Sequence, residues 1–166
     1  MYSVNNEKKK IIAQLIRDEG SKRNRKGMHI TYRCTSGKVT IGYGHNIDDN
    51  PIPGINSTSE LTEEQALRLL ETDINTVCGQ LRSALPWSAS LDTPRFAVLV
   101  NMAFNMGLHG LLSFKNTLAD VERGEYAGAA RRMMQSRWAR QVGDGPGGTF
   151  DRAERLARQM ETGEWQ

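Results

Sequence analysis

Val39-Thr40-Ile41-Gly42-Tyr43-Gly44-His45 is the stretch on which the fold turns. Val39, Ile41 and Tyr43 alternate with Thr40, Gly42 and Gly44, the period of two expected of a β-strand. The two glycines strip one face of side chains beside Thr40, so a backbone or a ligand can approach closely there. Upstream, residues 30–34 supply a hairpin partner across Thr35-Ser36-Gly37. Two registers fit. A three-residue loop with Gly37 in the left-handed conformation pairs Cys34 with Lys38 and Tyr32 with Thr40, which puts Cys34 and Thr40 on one face; a two-residue loop pairs Cys34 with Val39. A small antiparallel sheet is expected in either case.

Ahead of the hairpin, Ile11, Ile12, Leu15 and Ile16 form an apolar stripe at helical spacing, with Asn5 or Asn6 as N-cap and Gly20 as stop. A first helix therefore ends at Asp18-Glu19. Residues 21–26 are basic and polar and read as an exposed loop. Behind the hairpin, Pro51, Pro53 and Gly54 break the chain, and residues 56–60 read as polar loop. Thr62-Glu63-Glu64-Gln65 is a capping-box pattern, so helix resumes at Glu63, and Leu67, Leu70, Ile74, Val77 and Leu81 keep one face apolar. Beyond Pro86 the chain reads as helices over 93–106, with Pro94 in the first turn, then from 112 or 113 to 123, 126–135 and 152–161. Gly143, Gly145, Pro146, Gly147 and Gly148 make a flexible loop before the last of them. The class is α+β, mostly helical.

At 166 residues the chain has the size of one domain with a sizeable core. Its 22 basic and 19 acidic side chains give a net charge of +3, which favours anionic surfaces but falls far short of a dedicated nucleic-acid binder. Cys34 and Cys78 allow at most one bridge, which excludes a disulfide scaffold and suits a reducing cytoplasm. The basic start is followed by an apolar run too short for a signal peptide and interrupted by Gln14, so none is expected. Residues 96–114 lack charged side chains, but Asn101, Asn105, Gly107, His109 and Gly110 indicate a buried helix ending at Gly107, without stable membrane insertion. His29, His45 and His109 lack ligand spacing, and Asp48-Asp49 lacks the alternating oxygens of a calcium loop, so no metal or cofactor is expected.

Glu19 stands out chemically. At the end of a helix and next to Asp18, its carboxyl meets the negative helix terminus and a like charge, and both favour the protonated form that a general acid needs. By position alone the favoured reading is a solvated acid at a helix end.

Six segments in order, Asp18-Glu19-Gly20, Thr40-Ile41-Gly42-Tyr43-Gly44-His45, Asn101-Met102-Ala103-Phe104-Asn105-Met106-Gly107, Ser136-Arg137-Trp138, Arg152-Ala153-Glu154-Arg155 and Thr162-Gly163-Glu164-Trp165, resemble the T-even phage lysozyme family. The resemblance spans nearly the whole chain. It implies a single lysozyme-like domain over 1–166 with a two-lobed α+β fold. The small lobe, at about 21–60, holds an antiparallel sheet; a connecting helix runs over about 63–82; the helical lobe takes about 83–166 plus the N-terminal helix, with a cleft between the lobes. It also implies an N-acetylmuramidase that cleaves the β-1,4 bond between N-acetylmuramic acid and N-acetylglucosamine in peptidoglycan.

In that family a Glu, then an Asp or sometimes a Cys, then a Thr carry the chemistry. The resemblance makes Glu19 the general acid and Thr40 the residue that positions water, and it puts Cys34 six residues before Thr40 in the middle place. Fourteen residues separate Glu19 from Cys34, more than the family's usual interval, and the basic segment 21–27 is the expected insertion, thermodynamically mild in a loop. A thiol with a pKa of about 8.5 is a poor base unless something lowers that value, and Arg33 and Lys38 are the nearest candidates. Once ionised, Cys34 either deprotonates a water, giving inversion, or attacks the anomeric carbon itself. The water route is the expected one, although the spacing that separates the two outcomes is not legible in a sequence.

By the same resemblance Arg152 contacts the acid, pulling it toward its ionised form against the helix-end effect; a surface arginine beside Arg155 and Arg158 is the less favoured alternative. Asn46, Phe104, Asn105 and Thr117 fall at saccharide-lining positions, although Phe104 fits core packing as well. Arg132 stands where the family more often has a small polar residue. His45 and Asp73 resemble a structural ion pair, and Trp138 a buried structural residue. The implied protein is a monomeric endolysin, made in the host cytoplasm and dependent on a holin to reach glycan strands. A non-hydrolytic wall-binding module and a bacteriocin-type toxin domain are the rival readings.

Overall fold

The computed structural model describes residues 2–34, 36–143 and 152–166. The chain forms two compact units, Met1–Thr76 and Val77–Gln166. The first holds α1 (Tyr2–Glu19), the strands β1 (His29–Ile30), β2 (Tyr32–Arg33), β3 (Val39–Ile41), β4 (His45–Asn46) and β5 (Glu60–Leu61), and the start of α2 (Glu63–Ala84). The second holds α3 (Thr93–Leu112), α4 (Lys115–Glu122), α5 (Tyr126–Gln135), α6 (Arg137–Gly143) and α7 (Arg152–Thr162).

In α1 the expected stripe is present, with Ile11 and Leu15 buried and Ile12 and Ile16 half-buried. The helix starts at Tyr2, ahead of Asn5 and Asn6, so neither caps it; no glycine or proline stands before Gly20 to stop it. Its end is as read. Gly20 takes φ +61° and its N–H donates to the Ile16 carbonyl at 3.1 Å.

The hairpin takes the three-residue register. Tyr32 faces Thr40 and Arg33 faces Val39, the Cys34 N–H donates to the Lys38 carbonyl at 3.0 Å, and Gly37 has φ +81°. Two expectations about strand length fail. Residues 30–34 do not form one strand: β1 leaves to pair with β5, matching His29 with Leu61 and Ile30 with Glu60. The Thr31 hydroxyl marks the division, donating to the Ser57 carbonyl at 2.6 Å. The segment 56–60 accordingly ends in a strand rather than remaining loop. The alternation through Tyr43 also overruns, because Gly42 and Gly44 take φ +63° and +81° and turn the chain after Ile41. β4 then returns along β3, with Thr40 opposite Asn46 and Ile41 opposite His45.

Ile41, Ile47 and Leu61 form the core of this unit, with Val39, Ile55 and Leu69 packed against them. The capping box closes as written: Gln65 N–H donates to Thr62 Oγ1 at 3.1 Å, and Thr62 N–H to Gln65 Oε1 at 2.8 Å. The basic segment 21–27 is mostly exposed, as expected, yet tightly hydrogen-bonded. The Asn24 side chain accepts from the N–H groups of Lys26 and Met28 at 2.9 and 3.1 Å, and Ile30 N–H donates to the Lys22 carbonyl at 2.9 Å.

In the second unit, residues 96–103 of α3 are all buried, which accounts for their apolar run. Gly107 (φ 79°, ψ 160°) breaks the helix where the sequence indicated. Among the described residues no single helix is long and apolar enough to cross a membrane. α6 went unread, since its seven residues carry no clear period. Segment 144–151, most of the expected glycine-rich loop, lies outside the described residues. Arg95 closes the end of α7, donating from Nε to the Met160 carbonyl at 2.7 Å and from Nη2 to the Glu161 carbonyl at 2.8 Å while its guanidinium stacks 3.6 Å from the Tyr126 ring centre.

Candidate active site

Three elements of the first unit carry the candidate residues. α1 ends on Glu19, the β3–β4 turn offers Gly44, and the β2–β3 hairpin carries Tyr32, Cys34 and Thr40. The bare turn receives the acid: a Cβ on Gly44 would lie 2.9 Å from Glu19 Oε2 and 3.1 Å from its Cδ. At Gly44 the close approach that a glycine permits is therefore made by the Glu19 side chain itself, while Gly42 packs near Ala66 and Leu61.

Gly44→Ala tests this packing. The substitution places a side chain at φ +81° and drives its Cβ against the carboxyl. A strained residue of this kind costs about 1–3 kcal/mol, and each kcal/mol lowers Tm by about 2–4 °C at this chain length. Displacing the acid should cut activity by about 100-fold as well. Thermal melts and reducing-end release measure the two effects, and wild-type values in both would contradict the contact.

Cys34 and Thr40 share the hairpin face that the three-residue register requires. Cys34 is half-buried, and burial raises its thiol pKa. Hydrogen bonds from the Ser36 side chain and backbone, the Lys38 backbone and the Thr40 side chain outweigh that and hold it below the ordinary cysteine value. Ser36 Oγ lies 3.0 Å from the sulfur. Thr40 is buried, with its hydroxyl 3.2 Å from the Lys38 carbonyl as a second acceptor. Arg33 and Lys38 were expected to tune the thiol by charge; Lys38 still feels the Cys34 charge, weakly, but both side chains have nearer partners. Arg33 Nη1 donates to the Gly37 carbonyl at 2.8 Å, and Lys38 Nζ pairs with Asp49 Oδ1 at 3.0 Å.

Tyr32 was missed as a site residue. It faces Thr40 across the hairpin and is half-buried on the Cys34 side of its strand. Its phenol is pushed up to about 12 by burial first, then by the Glu19 carboxylate and, more weakly, by Cys34, against a hydrogen bond from the Gly44 backbone. One tyrosine thus senses both the acid and the thiol. The signal was available in its position two residues before Cys34, on the same face.

Two ion-pair groups brace the sheet. His45 Nδ1 lies 2.7 Å from Asp73 Oδ2 and its Nε2 lies 2.8 Å from the Asn50 carbonyl, the structural pair that the sequence indicated. Burial lowers the His45 pKa, but Asp73 and the Asn50 carbonyl raise it further, leaving it above the usual histidine value. The stabilisation is complete below the unfolded pKa of about 6.5 and is lost as pH rises through the folded one. Asp73→Asn should flatten this loss in a series of melts above about pH 6.5, and an unchanged slope would count against the pair. In the second group, Glu63 accepts from Tyr43 Oη at 2.6 Å, His29 Nε2 at 2.9 Å and Arg23 Nη2 at 2.5 Å, which ties segment 21–27 to the start of α2.

Among the remaining sequence candidates, Asn46 lies opposite Thr40, but its amide donates to Asp49 Oδ2 at 2.8 Å. In the second unit, Phe104 is half-buried, Asn105 is exposed and Thr117 is buried. Asn105 Oδ1 accepts from the buried Trp138 Nε1 at 3.0 Å. Arg152 is buried, with Nε donating to Asn101 Oδ1 at 2.8 Å. Arg132 Nε binds the buried Asp120 at 2.7 Å, a partner that the sequence did not reveal. Among the described residues no cluster suited to a metal ion is present.

A carboxyl at a helix end, with an acidified thiol and a hydroxyl on the neighbouring hairpin, is equipped for acid- and base-assisted hydrolysis of a glycosidic bond. The phage lysozyme family matches residues 25–155, and the chain belongs to it; the protein is a glycoside hydrolase of the lysozyme type. It is similar to probable T4-type lysozyme 1 of Dictyostelium discoideum, 27% identical over 152 residues that cover 80% of this chain and 85% of the relative. The endolysin of Acyrthosiphon pisum secondary endosymbiont phage 1 is 27% identical over 104 residues, 63% of this chain and 65% of the relative. The peptidoglycan hydrolase gp36 of Enterobacteria phage SP6 is 24% identical over 125 residues, 66% of this chain and 12% of that protein.

Proposed function

We propose that the protein is an endolysin that hydrolyses the β-1,4 bond between N-acetylmuramic acid and N-acetylglucosamine. Glu19 gives its proton to the glycosidic oxygen as the C–O bond breaks. The Cys34 thiolate takes a proton from a water that attacks the anomeric carbon from the opposite face, and Thr40 holds that water and the sulfur in register. The products are two glycan ends, a Glu19 carboxylate and a Cys34 thiol, and proton exchange with solvent restores the starting pair. The hairpin register carries this reading, since it sets Cys34 and Thr40 on one face beside the turn that receives Glu19. The relatives' names, lysozyme, endolysin and peptidoglycan hydrolase, support the substrate class.

The saccharide-lining roles of Asn46, Phe104, Asn105 and Thr117 and the acid-orienting role of Arg152 rest on the family resemblance. So do action as a monomer in host lysis, accumulation in the host cytoplasm and release through a holin. Digestion of purified peptidoglycan followed by reduction and mass spectrometry tests the bond. N-acetylmuramic acid at the new reducing ends is the expected result. N-acetylglucosamine there would overturn the bond assignment, and wall binding without new reducing ends would establish a non-hydrolytic module.

A further inference from the structure

We infer that Glu63 is a positioning residue for the acid: by joining Arg23 to Tyr43 it ties together the two stretches of chain that hold the Glu19 carboxyl in place. The inference rests on Glu19 as the proton donor and gives a catalytic consequence to a cluster that otherwise only braces the sheet.

The cluster closes a circuit around the acid. Arg23 follows Glu19 by four residues, and Tyr43 directly precedes Gly44. Arg23 Nη2 donates to Tyr43 Oη at 2.8 Å and pairs with Glu63 Oε2 at 2.5 Å, while the Tyr43 hydroxyl donates to Glu63 Oε1 at 2.6 Å. From Tyr43 the chain steps to Gly44, where a Cβ would meet Glu19 Oε2 at 2.9 Å and its Cγ at 3.1 Å. Gly42 and Gly44 both have positive φ and carry no side chain, so Tyr43 is the side chain between them by which that turn can be fixed.

Glu63 is itself well anchored. It is the first residue of α2, where the positive helix end favours a carboxylate. His29 Nε2 donates to its Oε2 at 2.9 Å. The His29 ring is fully buried, stands edge-on to Tyr43 with centres 4.9 Å apart, and has no partner at Nδ1, so its one side-chain hydrogen bond is the one to Glu63. Burial alone would push the Glu63 carboxyl up, but the contacts from Tyr43, His29 and Arg23 outweigh it and hold the group below the ordinary carboxylate value. Glu63 is therefore an ionised acceptor at neutral pH. A misplacement of about 1 Å at a reacting group can cost about 100-fold in rate, so a turn fixed in this way matters to the direction in which Glu19 presents its proton.

Two variants open the circuit. Glu63→Ala removes the acceptor shared by all three donors, and the kcat for peptidoglycan should fall about 10-fold with KM within about twofold, because the lesion falls on proton transfer rather than on binding. Tyr43→Phe keeps the ring against His29 and removes only the hydroxyl; a fall of about 5-fold in kcat is expected, and this milder change stands as the test if Glu63→Ala folds poorly.

A readout independent of turnover is the nuclear Overhauser cross-peak between Glu19 Hγ and Gly44 Hα in the labelled full-length protein, which reports the packing directly. It should weaken in both variants. A brace that serves stability alone would lower Tm and leave kcat and the cross-peak at wild-type values, and that result overturns the proposal. A fall in kcat with the cross-peak intact overturns it too, since the loss would not pass through the packing of Glu19; so does a weakened cross-peak with wild-type kcat. Activity retained in Glu19→Gln would instead overturn the acid assignment and the catalytic role of Glu63 with it, whatever the cross-peak shows, so the two failures read differently.

Discussion

Glu19→Gln is expected to lose about 10²- to 10⁴-fold in peptidoglycan hydrolysis while melting within a few degrees of the wild type. The substitution is nearly isosteric. It preserves a planar head group packed against Gly44, where a Cβ would come 2.9 Å from Oε2, so the turn and the end of α1 keep their contact. It removes the acidic proton, and the departing sugar oxygen must then leave as an alkoxide or wait for a proton from solvent. Loss of a positioned acid is therefore paid in kcat rather than in wall binding. Sedimentation with purified peptidoglycan should show the variant still bound, reducing-end assays should show no release above background, and melts should exclude unfolding. Residual activity within tenfold of the wild type would mean that another group protonates the leaving oxygen.

What was legible in the chain was local. Gly20 stops α1, the Thr62 and Gln65 side chains start α2, and Gly107 breaks α3 because each is a short-range device whose partners lie within a few residues. Gly37 belongs with them, since a left-handed glycine in a three-residue loop sets the register of everything before and after it. The misreadings are of another kind. β1 and β5 are two residues each and pair across thirty positions, so neither carries an alternation that could be seen. The alternation through Tyr43 was real but stood for a double turn, because a glycine fits a strand pattern and a positive φ equally well.

The site divides the same way. The family resemblance named Glu19, Cys34 and Thr40 as candidates, and the register that sets the last two on one face was one of two that the loop allowed. What tunes them could not be read. Charge proximity along the chain pointed to Arg33 and Lys38, whereas the fold pairs those side chains first with Gly37 and Asp49, leaves Lys38 only a weak charge interaction with the sulfur, and gives the thiol short neutral donors. Asp120 took Arg132 in the same unannounced manner, through contacts between helices rather than along one.

The thiol yields the second large effect. Cys34→Ala is expected to reduce hydrolysis by about 10²- to 10⁴-fold, the range for a general base, with little change in stability because the side chain is small and half-buried. Alkylation separates a chemical role from a packing one. In a Cys78→Ala background, which removes the second thiol, iodoacetamide should inactivate the enzyme at a rate that climbs with pH through the thiol's pKa. Because the hydrogen bond from Ser36 helps to hold that pKa down, Ser36→Ala should move the climb to higher pH and slow inactivation at neutral pH. The stereochemistry of the released end decides what the sulfur does. Proton NMR of the freshly formed anomer should show inversion, since a thiolate acting through water attacks from the face opposite the departing sugar. Retention, together with a glycosyl adduct on Cys34 by mass spectrometry, would make the sulfur the nucleophile instead. Full activity in Cys34→Ala would remove it from the chemistry and leave Thr40 as the remaining hairpin candidate.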